Sequence, residues 1–237
     1  MSEQAIVLVG MSVREVDARE RLLGLAAPHG AAVAFLQLGD PSVSRELTRL
    51  ADGDAQEILL VGASFGTLTP AQSWLRRIAA HWLRERAGHT PDILVATELL
   101  KAPDAAQLTQ LIAGEGRLVT GAEAGLESGA WENVPSHRHQ VLVCRGPRCT
   151  AKGSDKSAES LVLALMAQGL GDDDVLITHT GCQFPCNHAP LMSVQPDDVW
   201  YGRVDGEVAR EIVTRHLIGG EPVEAHRLAR EARPRIE

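Results

Sequence analysis

The sequence predicts two α/β domains in succession, and three observations carry that prediction. Short apolar runs alternate with segments of helical periodicity in the first half, which is typical of a parallel sheet covered by helices. A second alternation starts near Gln140, and all four cysteines belong to it. Between the two regions, six residues from Gly114 to Pro135 are glycine or proline and the periodicity lapses.

These changes of pattern set the expected boundaries. The first domain is expected over residues 1–115 and the second over residues 140–223. Residues 116–139 are expected to form a linker in which Trp131 is the one bulky anchor. Residues 224–237 form a charged tail, for which we expect a loose helix.

The elements of the first domain point to a doubly wound parallel sheet. Its strands are short and continuously apolar, as strands buried on both faces are, and are expected over residues 5–9, 32–36, 57–62 and 93–95. Helices are expected over residues 14–27, 42–51 and 105–113, and from Thr69-Pro70 onward, where threonine would be the N-cap and proline would lie in the first turn.

The second domain contains fewer elements. Strands are expected over residues 141–143 and 175–177, and a hairpin over residues 191–194 and 199–204. Ser154 is the expected cap of a helix with one apolar face, made of Ala158, Leu161, Val162, Leu165 and Met166. Asp205 caps a last helix that Gly219-Gly220 ends near residue 217.

Composition and charge exclude several classes of protein. A hydrophobic fraction of 44% and a charged fraction of 23% are ordinary for a globular chain. The net charge of −8 and an aromatic fraction of 3% argue against nucleic acid as a partner. No apolar run approaches the ~18 residues that span a membrane, and the first residues lack the basic segment of a signal peptide. A cytoplasmic protein is therefore expected.

The cysteines form two pairs, Cys144-x₄-Cys149 and Cys182-x₃-Cys186, each directly after a predicted strand. Four thiolates directed to one point suit an iron–sulfur cluster or zinc. The spacing departs from the C-x₂-C knuckles of structural zinc sites, and disulfides are rare in the cytosol. Spacing alone favours iron–sulfur and leaves zinc and disulfides as alternatives.

The residues around these cysteines resemble the thioredoxin-like [2Fe–2S] ferredoxins over 140–223. The resemblance lies in the segments VCRGPRC at 143–149, GCQFPC at 181–186, AP at 189–190, PDDVWYG at 196–202, EIVTRHL at 211–217 and GGEPV at 219–223. It implies that Cys144, Cys149, Cys182 and Cys186 ligate a [2Fe–2S] cluster near the surface of a thioredoxin-like fold. Where the family has Leu-Gly after the third cysteine, this chain has Gln183-Phe184-Pro185. That difference is expected to alter hydrogen bonds to sulfur but not the number of ligands.

The first domain resembles a small sirohydrochlorin chelatase of cobalamin and sirohaem synthesis. The similar positions are Val7 to Gly10, Arg14, Val33 to Leu38 with Pro41-Ser42, and Ile58 to Val61. Met11 replaces the metal-binding histidine that ends the family's first strand, and residues 62–80 lack its second histidine. Because a thioether cannot accept the pyrrole protons, we expect a degenerate chelatase-like domain that docks a partner or a tetrapyrrole-like ligand.

A G-x-S-x-G pattern at residues 62–66 offers another hypothesis. Ser64, Glu98 and either His137 or His139 occur in the Ser…acid…His order of a serine hydrolase. Only three strands precede Ser64, and the sequence has no oxyanion segment of the HGGG type. The pattern is therefore interpreted as a tight turn of small residues.

The leading hypothesis is one-electron transfer by a [2Fe–2S] protein with an N-terminal docking domain. Its expected partner is a redox protein, either a reductase or another oxidoreductase, with a tetrapyrrole ligand and a homodimer as further hypotheses. An electron carrier is expected rather than an enzyme. The alternatives are a ferredoxin-fused tetrapyrrole metal chelatase and a serine hydrolase that uses Ser64.

Overall fold

The computed structural model describes residues 4–66, 70–129 and 132–230. The chain divides into two compact units, Met1–Glu132 and Asn133–Glu237. Two residues singled out in the sequence, Thr69 and Trp131, lie outside the described residues.

The N-terminal unit is built on a five-stranded sheet of order β2-β1-β3-β4-β5. The strands are β1 (Ala5–Gly10), β2 (Ala32–Phe35), β3 (Glu57–Ala63), β4 (Asp92–Ala96) and β5 (Gly116–Leu118). The first four are parallel, as the continuous apolar runs predict. The fifth pairs antiparallel with β4. This strand lies in the segment that was expected to be linker.

Within the part of this unit that the structure describes, five α-helices cover the sheet: α1 (Val13–Asp17), α2 (Arg19–Ala26), α3 (Val43–Asp52), α4 (Ser73–Glu85) and α5 (Ala105–Ala113). The single helix expected over residues 14–27 is interrupted at Ala18 and ends in a 3₁₀ turn, Ala27–His29. The start expected at Thr69-Pro70 is wrong, because Gln72 is the N-cap of α4 and Pro70 precedes the helix.

Both faces of the sheet are buried, and adjacent residues of one strand serve different faces. Val7 and Val9 belong to the apolar cluster that includes Leu47 of α3 and Leu75 of α4. Leu8, between them, belongs to the cluster that includes residues of α2 and α5. Alternate side chains of an extended strand point to opposite faces, so every position of β1 must be apolar.

The C-terminal unit has a four-stranded sheet of order β7-β6-β8-β9. Its strands are β6 (His139–Cys144), β7 (Val175–Thr180), β8 (Met192–Gln195) and β9 (Val199–Tyr201). β6 and β7 are parallel, and β8 pairs antiparallel with both β6 and β9. The expected hairpin is confirmed, and its turn spans residues 196–198.

Up to residue 230, where the described residues end, this unit has three α-helices: α6 (Pro147–Ala151), α7 (Ser154–Ala167) and α8 (Gly206–Glu211), which continues as π-helical turns over Ile212–Ile218. Asp205 caps α8, as predicted, by accepting from the amides of Glu207 and Val208. The expected cap of α7 is wrong: Gly153 is the N-cap, with a φ of 86°, and the Ser154 side chain is buried. Met166 also differs from expectation, because 66% of it is exposed.

The described part of the tail is not the helix that was expected. After a 3₁₀ turn at Glu224–His226, the chain runs beside β9. The amide of Gly202 donates to the carbonyl of His226, and the amide of Leu228 donates to that of Trp200. Residues 231–237 lie outside the described residues.

None of the helices within the described residues is long and apolar enough to cross a membrane.

Candidate metal centre

The parallel pairing of β6 and β7 brings the two cysteine-bearing loops together. Cys144 is the last residue of β6 and is opposite Thr180, the last residue of β7. Cys182 follows two residues later, and Cys186 begins the 3₁₀ turn Cys186–His188. Because parallel strands end at the same edge of a sheet, both loops leave from neighbouring points.

Helix α6 places the remaining cysteine, Cys149, next to the other three. Cys149 lies in this helix and packs with Cys144, Ala189 and Leu191 in a small buried cluster. Gly146, just before the helix, lies so close to the second loop that a Cβ at this position would be 2.9 Å from the Cα of Cys182. Only glycine allows that approach without a shift of the backbone.

The four cysteines are free and form two pairs that differ in exposure. Cys144 and Cys149 are buried, and the thiol of Cys149 is hydrogen-bonded to Cys144. Cys182 is exposed and Cys186 half-buried, with 3.3 Å between their sulfurs. A disulfide sulfur–sulfur bond is about 2.0 Å long, so neither sulfur of this second pair is in a disulfide. The centre therefore has a buried side and a solvent-facing side.

The protein environment acts on the thiols in opposite directions. Burial raises the pKa of the Cys149 thiol to about 12, and its hydrogen bond with Cys144 acts in the same direction. Hydrogen bonds from Cys182 and then from Arg148 lower the pKa of Cys186. A metal competes with protons for thiolates, so Cys149 and Cys186 differ in how readily they release a proton.

Backbone groups of the protein lie within hydrogen-bond distance of the sulfurs. The amide of Leu191 hydrogen-bonds Cys149, and the amide of Phe184 hydrogen-bonds Cys182. The thiol of Cys144 lies 3.4 Å from the carbonyl of Gly181. Hydrogen bonds to cluster sulfurs are among the factors that set a reduction potential.

Two residues that support the centre were not singled out in the sequence for these contacts. The side-chain Nε2 of Gln183 donates to Thr180 Oγ1 at 2.7 Å, and its Oε1 accepts from the hydroxyl of the buried Ser193 at 3.3 Å. These two hydrogen bonds connect the loop to two strands. Arg148 donates to Cys186 from α6. Only its position next to Cys149 could have indicated that contact.

The corresponding loops of the N-terminal unit contain different chemistry. Met11, directly after β1, is fully buried in the core against β3. The buried carboxylate of Glu15 accepts from the amide and hydroxyl of Ser12 at 2.8 and 2.7 Å, and from the amide of Phe65 at 2.6 Å. It thereby joins the loop after β1 to the loop after β3.

Ser64 is not assembled into a catalytic group within the described residues. Its hydroxyl is buried and has no hydrogen-bond partner there. Glu98 is exposed in the same unit. His137 and His139 belong to the other unit, where His139 Nε2 lies 3.3 Å from a carboxylate oxygen of Asp197. A serine nucleophile needs a base within about 3.2 Å, so the described contacts do not activate Ser64.

The chemistry of the cysteine donors fits a two-iron cluster. Among the described residues, no three His, Cys, Asp or Glu side chains converge as the ligands of one ion would. The sulfurs are instead arranged as a buried pair and an exposed pair. A [2Fe–2S] cluster is held by four cysteine thiolates, two on each iron, and two neighbouring pairs satisfy that requirement.

Comparisons with known proteins match about a third of this chain. A "Ferredoxin, 2Fe-2S" of Aquifex aeolicus is 40% identical over 76 residues, which are 32% of this chain and 68% of that protein. A "Ferredoxin, 2Fe-2S" of Clostridium pasteurianum is 32% identical over 94 residues, 36% of this chain and 91% of that protein. No family model matches the chain.

A solved structure, described as a thioredoxin-like [2Fe-2S] ferredoxin from Aquifex aeolicus, is 34% identical. The alignment covers 39% of this chain and 97% of the ferredoxin chain, with a TM-score of 0.37. The matched relatives are covered over two thirds or more of their length, in a region of this chain that holds about a third of its residues. Through that region, the chain belongs to the 2Fe-2S ferredoxins.

Proposed function

We propose that this protein is a one-electron carrier whose cofactor is a [2Fe–2S] cluster held by Cys144, Cys149, Cys182 and Cys186. The observation that carries the proposal is the meeting of two cysteine pairs at the common end of β6 and β7. The 2Fe-2S ferredoxin relatives support the cofactor. When bound, such a cluster accepts and releases a single electron.

The residues of the chain divide the remaining work. Cys144 and Cys149 anchor the centre in a small apolar cluster, which limits the access of water. Cys182 and Cys186 lie on the solvent-facing side, where an electron could leave over a short distance. The Arg148 guanidinium, hydrogen-bonded to Cys186, favours a more negative charge on that sulfur.

The test is an anaerobic visible and EPR spectrum of the purified full-length chain, with iron and sulfide counted. We expect about two iron and two sulfide per chain and one electron on reduction by dithionite. Zinc without sulfide, or reduction by two electrons, would contradict the proposal.

For the N-terminal unit we propose docking of a partner or ligand rather than catalysis. Met11 is fully buried, so its sulfur is not presented to an incoming metal. Glu15, the nearest carboxylate, is occupied by three hydrogen bonds from the protein. These contacts favour a degenerate chelatase-like scaffold over an active tetrapyrrole chelatase.

Two measurements separate these functions. Insertion of cobalt or nickel into sirohydrochlorin should not exceed the uncatalysed rate, and turnover that disappears in Met11→Ala would establish the chelatase instead. Quenching of Trp74 or Trp82 fluorescence by sirohydrochlorin would identify a tetrapyrrole as the docked ligand. Hydrolysis of an ester that is lost in Ser64→Ala would favour the serine hydrolase.

A further inference from the structure

We infer that the two cysteine loops, residues 145–152 and 181–188, form a cationic docking face for an acidic redox protein. We call this surface the cysteine face. The inference rests on the proposed function and adds the chemistry of the partner.

The charge of the cysteine face is opposite to that of the protein. Arg145, Arg148 and Lys152 lie in the first loop, and neither loop contains an aspartate or glutamate. The whole chain carries a net charge of −8, and residues 140–237 contain 11 basic and 14 acidic residues. Without the three loop cations, the same region has 8 basic residues against 14 acidic ones. Arg148 and Lys152 are exposed, whereas Arg145 is half-buried and donates to Ser154 at 3.3 Å. The exposed positive charge of the cysteine face therefore comes from Arg148 and Lys152.

The geometry brings this charge close to the sulfurs. Arg148 donates a hydrogen bond to Cys186 and is itself exposed. Lys152 is exposed one turn further along, where its amide donates to the carbonyl of Arg148 at 3.2 Å. On the other side, the amide of the exposed Arg203 donates to the carbonyl of His188. The first acidic residue after the loop, Asp155, lies in the first turn of α7.

An exposed aromatic residue lies between the two solvent-facing cysteines. Phe184 is 68% exposed and adopts a left-handed backbone with a φ of 51°, which is rare for a bulky residue. Its amide is hydrogen-bonded to Cys182. Aromatic side chains surrounded by charged residues are enriched at protein interfaces.

These features favour an acidic protein as the occupant. Opposite charges on two partners steer association and raise its rate, typically by about 10 to 1,000-fold, with a strong dependence on salt. An apolar contact at Phe184 would fix the distance to the exposed cysteines.

The test uses two small oxidants of opposite charge on the dithionite-reduced full-length protein, followed by stopped flow. Each reaction moves one electron: ferricyanide becomes ferrocyanide, or hexaamminecobalt(III) becomes cobalt(II), and the protein returns to its oxidised state. At about 0.1 M ionic strength the Debye length is about 10 Å, so charges near the cysteines dominate. Raising the salt concentration to about 1 M should lower the rate of oxidation by ferricyanide about threefold or more. It should raise the rate of oxidation by the cobalt complex.

A pair of matched variants locates the effect. Arg148→Glu/Lys152→Glu should reverse the salt dependence of ferricyanide, whereas Arg210→Glu/Arg215→Glu should not. Both double substitutions change the net charge equally, but only the first is in the cysteine face. The wild-type measurement needs no variant, so the test survives if Arg148→Glu impairs assembly of the centre.

Poly-L-glutamate tests docking directly. It should slow the reaction with ferricyanide in the wild type and in Arg210→Glu/Arg215→Glu. In Arg148→Glu/Lys152→Glu, the concentration needed for half-inhibition should be at least about tenfold higher.

Each opposite result has a distinct meaning. If salt accelerated ferricyanide in the wild type, the net charge of −8 would govern encounter and the cysteine face would not be cationic. Salt-sensitive dimers that are lost in the cysteine-face variant would make a second copy of this chain the occupant and overturn the acidic partner. If neither oxidant removed one electron, the proposed function itself would be refuted, and this inference with it.

Discussion

In the N-terminal unit, Met11 and Glu15 after β1 are occupied by contacts within the protein, whereas the loops that follow β6 and β7 gather four free cysteines. Met11 is buried in the core, and the carboxylate oxygens of Glu15 accept three hydrogen bonds from the protein. At the matching edge of the other sheet, the sulfurs of Cys182 and Cys186 face solvent.

The difference shows that the position after a parallel strand does not by itself make a site. The carboxyl ends of strands are where α/β proteins usually bind ligands. What decides the outcome is whether the residues there keep a donor or acceptor available after the fold has formed. In the N-terminal unit Met11 and Glu15 serve stability, and in the C-terminal unit four thiols remain free.

The largest expected effect is on the cysteines. Replacing any one of Cys144, Cys149, Cys182 or Cys186 by alanine should lower bound iron and sulfide by about tenfold or more, because one iron loses a ligand. Iron, sulfide and visible absorbance are to be compared with Met11→Ala, which should keep all three. Full cofactor content in both Cys182→Ala and Cys186→Ala would show that the exposed pair holds no metal.

Next in size is the loss of a core side chain from the N-terminal unit. Met11→Ala should lower the free energy of unfolding by about 2–5 kcal/mol, the usual cost of truncating a buried methionine. Chemical denaturation followed by tryptophan fluorescence in a Trp200→Phe background reports this unit, since Trp74 and Trp82 lie in α4 and Trp200 lies in β9 of the other unit. A cost below about 1 kcal/mol would mean that Met11 is not packed as described.

A third substitution tests whether Glu15 is structural. Glu15→Gln should cost about 1–3 kcal/mol, because an amide offers one acceptor oxygen where the carboxylate offers two. The amides of Ser12 and Phe65 use different oxygens of Glu15, so one of them would lose its acceptor. The measurement is the same denaturation, with Glu20→Gln on the exposed side of α2 as the control. Equal stability of the two variants would contradict the bridging role.

The C-terminal unit should be the one whose stability falls as the solution is acidified. Burial lowers the pKa of His216, and this outweighs the attraction of Asp197 at 3.0 Å. The groups around His216 are Asp197, His139, Arg227 and the hydroxyl of Tyr201, whose oxygen is 2.9 Å from Nδ1. The unfolded chain therefore binds a proton below pH ~6.5 that the folded unit binds only at lower pH.

The unfolding free energy of this unit should consequently decrease as pH falls below ~6.5, by at most about 1.4 kcal/mol per pH unit from this histidine. His216→Gln should flatten the profile. Asp197→Asn should steepen it, because the attraction that favours protonated His216 is removed. An unchanged slope in both variants would exclude His216 as the cause.

The smallest effect uses one equivalent feature in each unit. Asp104 caps α5 and Asp205 caps α8, and each accepts from two amides of the first turn. Asp104→Ala and Asp205→Ala should each cost about 1 kcal/mol of the stability of their own unit. The measurement is the thermal unfolding midpoint of each unit in the two variants. An unchanged midpoint in either variant would show that the substituted cap contributes no stability.

Much of the fold was accessible from the sequence because most elements have clear periodicity and caps. The four parallel strands of the first unit and the hairpin of the second were predicted from apolar runs alone. Strand β5 was missed because it has only three residues, of which just Leu118 is a large apolar residue. Helix α6 was missed because it has only five residues and contains the second cysteine of the first pair.

For the site, the sequence predicts the four cysteines and the strands that precede them, and the ligand assignment remains a prediction. What it could not predict is which pair is buried, since that depends on how α6 folds back against β6. Arg148 and Gln183 were not predicted to support the centre for a related reason. Arg148 contacts Cys186 and Gln183 contacts Ser193, and only the tertiary structure brings these partners near.

The segment that runs beside β9 has a further consequence. Strand β9 lies at the edge of its sheet, and an exposed edge offers unpaired backbone groups to other molecules. The hydrogen bonds from Gly202 to His226 and from Leu228 to Trp200 occupy part of that edge. Leu228 also packs against the cluster of Cys144 and Cys149. The tail thus blocks part of the edge at which another chain could add a strand and start aggregation. Because Leu228 also packs near the cysteines, a change in that region would affect the covering of the edge as well.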